Sequence, residues 1–315
     1  MRVGVIFPGQ GSQVVGMGVD VARAYPAAAQ CFAAAKTLLG YDLLALCKDG
    51  PAEKLTETRY AQPAIFVTNV ALAKAAGEVL RPVVSAGHSF GEYCSLTLAG
   101  ALTFETALTL VNERGLAMHR AAAQANGAMA AVLGLAPDAL RGAVARAVES
   151  GAGRVTLANF NAPGQIVISG DAAAVRVAGE YAMEAGAKRV VPLNVSGAWH
   201  SVLMDPARDE FAPHVQAATV TLPSFTVISN VDATPYTDVE QIKANLIRSV
   251  TDEVLWHDVA LAIVAMQPDL IVEFGASPVL APMFRRIEGA PKAIGVTDAA
   301  GVEKLRAQLA PASVS

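Results

Sequence analysis

The chain has 315 residues, 53% of them hydrophobic, with 24 Lys and Arg against 28 Asp and Glu and a net charge of −4. That length suits one large domain or two smaller ones, and the mildly acidic balance makes no general case for nucleic acid. Three cysteines, Cys31, Cys47 and Cys94, are odd in number and lack metal-ligand spacing, which argues against a disulfide framework or a metal site and suits a reducing cytoplasm.

A short apolar run at 3–7 stops at Pro8-Gly9. It is too short for a secretory signal and reads as a first buried strand. No run reaches the length of a membrane span, so no membrane association is expected. The stretch Phe7-Pro8-Gly9-Gln10-Gly11-Ser12-Gln13 is Gly-rich but lacks the G-x-x-x-x-G-K pattern of a phosphate loop. It reads either as a plain turn or as a loop that brings a backbone N–H near Gln10 to a reacting carbonyl.

A second apolar run at 82–86 leads into Gly87-His88-Ser89-Phe90-Gly91. This is the G-x-S-x-G nucleophile-elbow pattern, in which a tight strand-to-helix turn holds a serine hydroxyl out of the sheet. A helix pattern at 92–100, closed by Gly100, follows in the required order. The alternative is a backbone-bonded serine in an ordinary turn. A nucleophilic Ser89 needs a base for its proton, and an oxyanion formed there needs two N–H donors. The usual first donor is the residue after the nucleophile, here Phe90.

The helix pattern at 105–123 puts Ala107, Leu110, Val111, Gly115 and Met118 on one stripe, and Arg114 falls within it. A guanidinium on a buried face keeps its proton and needs an anion. Either a protein carboxylate supplies it, or a substrate carboxylate does so in a bidentate contact.

Residues 126–195 stand apart. Strand patterns at 128–135, 154–159, 165–169 and 188–194 and helix patterns at 138–149 and 172–185 give the order βαββαβ, the ferredoxin-like unit. The flanks, 1–125 and 196–315, read as one larger α/β domain split by that insertion. Its further strands are expected at 225–230, 270–274 and 293–296, and further helices at 278–287 and 302–309. A ligand is expected in the cleft between the two units. Of five histidines, His119 and His214 fall in helical stretches, His257 at a helix start, and His88 beside the nucleophile, where neighbouring side chains diverge. His200 follows the small unit's last strand in Ser196-Gly197-Ala198-Trp199-His200 and lies at the expected cleft, although a solvent-facing loop histidine fits the pattern too.

These residues are together similar to the malonyl-CoA:acyl-carrier-protein transacylases of fatty acid synthesis and, equally, to the acyltransferase domains of polyketide synthases. The resemblance runs from residue 3 to about 296 in ordered motifs: FPGQGSQ at 7–13, GHSFGEY at 87–93, ERG with Met118 at 113–118, NFNAPGQIVISG at 159–170, SGAWHSVLM at 196–204 and SNVD at 229–232. It implies a hydrolase-like α/β core with an inserted ferredoxin-like subdomain. It implies Ser89 as the acylated nucleophile, His200 as general base, Arg114 as the clamp on a malonyl carboxylate, and the N–H groups of Gln10 and Phe90 as the oxyanion hole. His88, Asn161, Trp199 and Ser249 are the further residues expected on the substrate side.

Two positions depart from the family pattern. Ser249, in Leu246-Ile247-Arg248-Ser249-Val250, stands where a Gln is common whose main-chain carbonyl orients the histidine; a carbonyl survives the change. Trp199 stands where malonyl-specific members usually have Phe and methylmalonyl-specific members tend to have Ser, and its ring leaves little room for a 2-methyl group. The resemblance further implies malonyl-CoA and acyl carrier protein as partners, no metal or redox cofactor, and a cytoplasmic monomer. It also implies a basic patch for an acidic carrier protein, with Lys188, Arg189, Arg285 and Arg286 as candidates. A carrier-protein hydrolase and a silent docking module are the competing readings; Arg114 argues against the first, and intact Ser89 and His200 argue against the second.

Overall fold

The computed structural model describes residues 1–310. Among the described residues, nine strands form two sheets. The first contains β1 (Val3–Phe7), β2 (Pro82–Gly87), and, later in the chain, Thr226–Ile228, Leu270–Phe274 and Lys292–Val296. The second is built from β3 (Gly127–Leu133), β4 (Val155–Ala162), β5 (Gln165–Asp171) and β6 (Arg189–Pro192). With the three late strands numbered β7, β8 and β9, the orders are β7-β2-β1-β8-β9 and β4-β5-β3-β6. Every pairing in the first sheet is parallel and every pairing in the second antiparallel. The fold is thus α/β, a hydrolase-like parallel core with a ferredoxin-like antiparallel unit.

Residues of β1 and β8 are buried throughout, as expected for parallel strands covered on both faces. The helix Thr58–Ala76 is buried nearly all round and packs against the helix Phe104–Ala123. Gly115 permits the close approach, because a Cβ there would lie 3.0 Å from the Thr58 carbonyl oxygen. The small sheet alternates with period two. Ile166 and Ile168 pack in one core with Leu140, Ala178 and Leu157, while Val167 and Met129 belong to the main core. Its helices, Pro137–Glu149 and Ala172–Glu184, therefore cover one face, and the large unit meets the other.

Three expected elements are shorter than their patterns suggest. The helix at 278–287 is reduced to Ala281–Phe284. The chain before it bends so that the Glu273 carboxylate accepts hydrogen bonds from the N–H groups of Val279, Leu280 and Ala281 at 2.6–3.0 Å. The strand at 225–230 stops at Ile228, where the Ser229 hydroxyl turns the chain by accepting from Val231 and Asp232 N–H. The last strand of the small sheet covers only Arg189–Pro192.

Parallel strands deliver their carboxyl ends to one edge, and ligands of such sheets bind there. β1 and β2 are neighbours with Phe7 opposite Gly87. Gln10 and Ser89, three and two residues past that pair, are brought together by the register.

Candidate active site

Ser89 sits at the turn between β2 and the helix Gly91–Leu98 with φ of 53°, in the left-handed region that non-glycine residues seldom occupy. Two close approaches hold it there. A Cβ on Gly91 would lie 2.5 Å from the Phe7 carbonyl oxygen, and one on Gly87 would overlap the backbone of Gly91. The glycines of the motif are therefore required by backbone contacts as well as by the turn.

The Ser89 Oγ lies 2.9 Å from His200 Nε2, and His200 Nδ1 lies 3.1 Å from the Asp252 carbonyl oxygen. A carbonyl can only accept, so Nδ1 carries the proton and Nε2 turns its lone pair to the serine hydroxyl. His200 itself has φ of 56° and is buried. Burial first, then the positive Arg114 and then His88, push its imidazole down to about 3, while the carbonyls of Asp252 and Ser249 pull the other way. The ring is neutral at pH 7 and arranged to accept the hydroxyl proton.

Arg114 is 1% exposed. Its Nη1 donates to Gln62 Oε1 at 2.9 Å, and its Nη2 to Ser89 Oγ at 3.3 Å and to the Ser249 carbonyl at 3.2 Å. Its Nε is buried with no acceptor, and among the described residues Arg114 makes no ion pair. Of the two anions open to it from sequence, a protein carboxylate in contact is absent among the described residues. A buried, unpaired charge costs several kcal/mol or more, which makes Arg114 the least satisfied charge of the site.

That cleft has a volume of about 220 Å³ and is lined by Gln10, His88, Ser89, Phe90, Arg114, Asn161, Trp199 and His200, with Gln62, Met118, Leu280 and Met283 beyond them. Among the described residues, neither the Gln10 nor the Phe90 backbone N–H donates to a protein acceptor. His88 does not reach the nucleophile; its Nε2 lies 2.9 Å from Asn161 Oδ1 and its ring packs on Trp256. Burial lowers its basicity, which leaves it neutral and able to donate to that carboxamide oxygen.

Ser249 departs from expectation only in part. It does not line the cleft, and the imidazole N–H goes to Asp252, but its carbonyl holds Arg114 and also pulls on the imidazole. The shift arises because the helix Val239–Arg248 ends at Ser249 and the chain turns back, with Asp252 N–H bonding the Arg248 carbonyl at 2.8 Å. Asp252 acts through its backbone, which carries no side-chain signature. Gln62 left a legible signal, a carboxamide amid the apolar run 61–73.

Residues 5–306 match the acyl transferase domain family. The chain belongs to that family. A malonyl CoA-acyl carrier protein transacylase of Haemophilus influenzae is 39% identical over 302 residues, covering 95% of this chain and 96% of that protein. The crystal structure of an acyl carrier protein S-malonyltransferase from Vibrio cholerae superposes with a TM-score of 0.92 at 40% identity, covering 97% of this chain and 100% of the other. A malonyl-transacylase solved in complex with its type II polyketide synthase acyl-carrier protein also gives 0.92, at 36% identity over 98% of this chain and 100% of the other.

Proposed function

We propose that this acyltransferase moves a malonyl group from malonyl-CoA to the phosphopantetheine thiol of an acyl carrier protein, through a malonyl ester on Ser89. The observation that carries the reading is Arg114, a buried cation without an ion-pair partner among the described residues, whose Nη2 lies 3.3 Å from the nucleophile. An acyl group that ends in a carboxylate satisfies it; one that ends in a methyl group does not.

The steps balance on the residues present. Ser89 Oγ attacks the thioester carbon while its proton passes to His200 Nε2. The oxyanion takes the N–H groups of Gln10 and Phe90. The C–S bond breaks, the coenzyme A sulfur leaves with the proton from His200, and the ester remains. The carrier thiol then gives its proton to His200 and attacks the ester, and collapse returns the proton to Ser89 Oγ. Arg114 fixes the distal carboxylate through both half-reactions, and Trp199 narrows the cleft against a 2-methyl branch.

Two further assignments support the reading. We assign residues 126–195 to the inserted subdomain and, among the described residues, 1–125 and 196–310 to the large one. Lys188, Arg189, Arg285 and Arg286 are all exposed, and Arg286 reaches Gln165 of the small sheet, which suits a basic rim for an acidic carrier protein. No described helix is long and apolar enough to cross a membrane.

Intact mass spectrometry after mixing with malonyl-CoA is expected to show one malonyl group on the protein, and none on Ser89→Ala. Added carrier protein removes it; loss to water at the same rate without carrier would indicate a hydrolase and overturn transfer. Arg114→Ala is expected to lose malonyl loading by about a hundredfold or more while keeping acetyl loading. Unchanged malonyl loading in that variant removes the clamp assignment.

A further inference from the structure

A continuous chain of hydrogen bonds, buried except for its half-buried last link, runs from Arg114 to the loop that carries Gln10. Arg114 Nη1 donates to Gln62 Oε1, Gln62 Nε2 donates to Thr58 Oγ1, and the Thr58 hydroxyl donates to Gln10 Oε1, each at 2.9 Å. Thr58 and Gln62 are fully buried and Arg114 nearly so. We infer that Thr58 and Gln62 are positioning residues that lock the carboxylate clamp and the oxyanion loop into one unit, so that seating a carboxylate on Arg114 also sets the Gln10 N–H. The inference rests on the malonyl-transfer reading of the site.

The direction of every bond follows from the charge at one end. A guanidinium has only donors, so it can face only the oxygen of the Gln62 carboxamide. That fixes the amide the other way round at its far end, with the NH₂ group toward Thr58. The Thr58 hydroxyl has a single proton; since it accepts from Gln62, that proton is free for Gln10 Oε1. Bonds aligned in one direction in a low-dielectric interior polarise one another, and the cation at the head strengthens the series. Gly115 lets the two helices approach closely enough for the chain to close.

The consequence is a link between recognition and chemistry. Thr58 touches neither the cleft nor the reacting atoms, yet it holds the side chain of the residue whose backbone N–H faces the oxyanion. A substrate carboxylate pins Arg114, which pins Gln62 and Thr58, and Gln10 follows. An acetyl group leaves Arg114 with its resting partners and gains nothing from the chain. The structure thus discriminates between acyl groups in the rate of the chemical step as well as in binding.

The test compares single-turnover loading from malonyl-CoA and acetyl-CoA in wild type, Thr58→Val, Thr58→Ser and Gln62→Glu, with melting curves as the control for folding. Thr58→Val keeps the shape and removes the hydroxyl. It is expected to lower malonyl kcat about tenfold with KM changed by about twofold or less, and to lower acetyl kcat by about threefold or less. Thr58→Ser restores the hydroxyl and the malonyl rate. Gln62→Glu pairs internally with Arg114 and is expected to raise the malonyl KM about tenfold while sparing that for acetyl-CoA. Equal losses for both acyl groups, no loss for either, or a Thr58→Ser variant as slow as Thr58→Val overturns the inference. Wild-type protein that takes up no malonyl group would instead sink the transfer reading itself.

Discussion

Arg114 brings a permanent charge within 3.3 Å of a nucleophile whose base must itself become positive. The two demands conflict, and the conflict shows in the depressed basicity of His200, to which Arg114 contributes after burial. In the proposed malonyl-transfer reading, a carboxylate on Arg114 would offset its charge and relieve the repulsion that holds the base down. The sign is fixed: removing a neighbouring cation favours the imidazolium and raises the pH below which His200 is protonated and idle. Acetyl loading, which both wild type and Arg114→Ala are expected to perform, isolates this effect. Its acid limb is expected to move up by roughly one pH unit in Arg114→Ala. A pH–rate profile carried down to about pH 2 measures it, and coincident limbs in the two proteins would discard the electrostatic coupling. Ser89 was legible in sequence because the elbow demands glycine at fixed places, and Arg114 because a charge interrupts an apolar stripe. Asp252 was not, since any residue offers a backbone carbonyl.

The elbow helix Gly91–Leu98 is tied to the end of β7 by a buried carboxylate. Glu92 accepts from the Tyr236 hydroxyl at 2.7 Å, from Asn230 N–H at 3.2 Å and from the Asn230 carboxamide. Burial pushes its carboxyl from an ordinary 4.5 up to about 7, against the pull of those donors and of Arg114. A carboxyl whose folded-state value is raised binds a proton more tightly when folded. Its stabilisation is complete below about 4.5 and is lost as pH rises toward 7. Glu92→Gln is expected to flatten that dependence, which is on the order of 3 kcal/mol between the two limits. Urea titrations of both proteins at intervals across the window measure it, and identical slopes would show that Glu92 does not titrate there. The sequence patterns place this helix well, yet overextend the strand at 225–230 and the helix at 278–287. In both places a polar side chain turns the chain at the end of the element: Ser229 Oγ accepts from Val231 and Asp232 N–H just past the strand, and the Glu273 carboxylate accepts from Val279, Leu280 and Ala281 N–H ahead of the short helix. Apolar periodicity carries no trace of such bonds.

Across the whole molecule, the βαββαβ order was readable because the small unit's strands and helices alternate in short, cleanly punctuated patterns. How the unit is attached was not, because part of the attachment is made by backbone. Val254 N–H donates to the Ala158 carbonyl at 2.8 Å and Phe160 N–H to the Val254 carbonyl at 2.9 Å, so one residue of the large unit pairs beside β4. Met129, Ala158 and Val167 of the small sheet share the main core, and the chain crosses between the units twice. A unit whose second sheet face is buried only by its neighbour has little reason to survive the neighbour's loss. The protein is therefore expected to unfold in one transition. Its two tryptophans, Trp199 and Trp256, lie in the cleft wall and beneath His88, so their fluorescence follows the large unit and the cleft. Far-UV circular dichroism also follows the helices Pro137–Glu149 and Ala172–Glu184. In a urea titration the two signals are expected to coincide, since both report the same all-or-none event. A dichroism change that trails the fluorescence to higher urea would mean that the small unit stands alone, and that the shared core and the Val254 bridge contribute little to holding the cleft together.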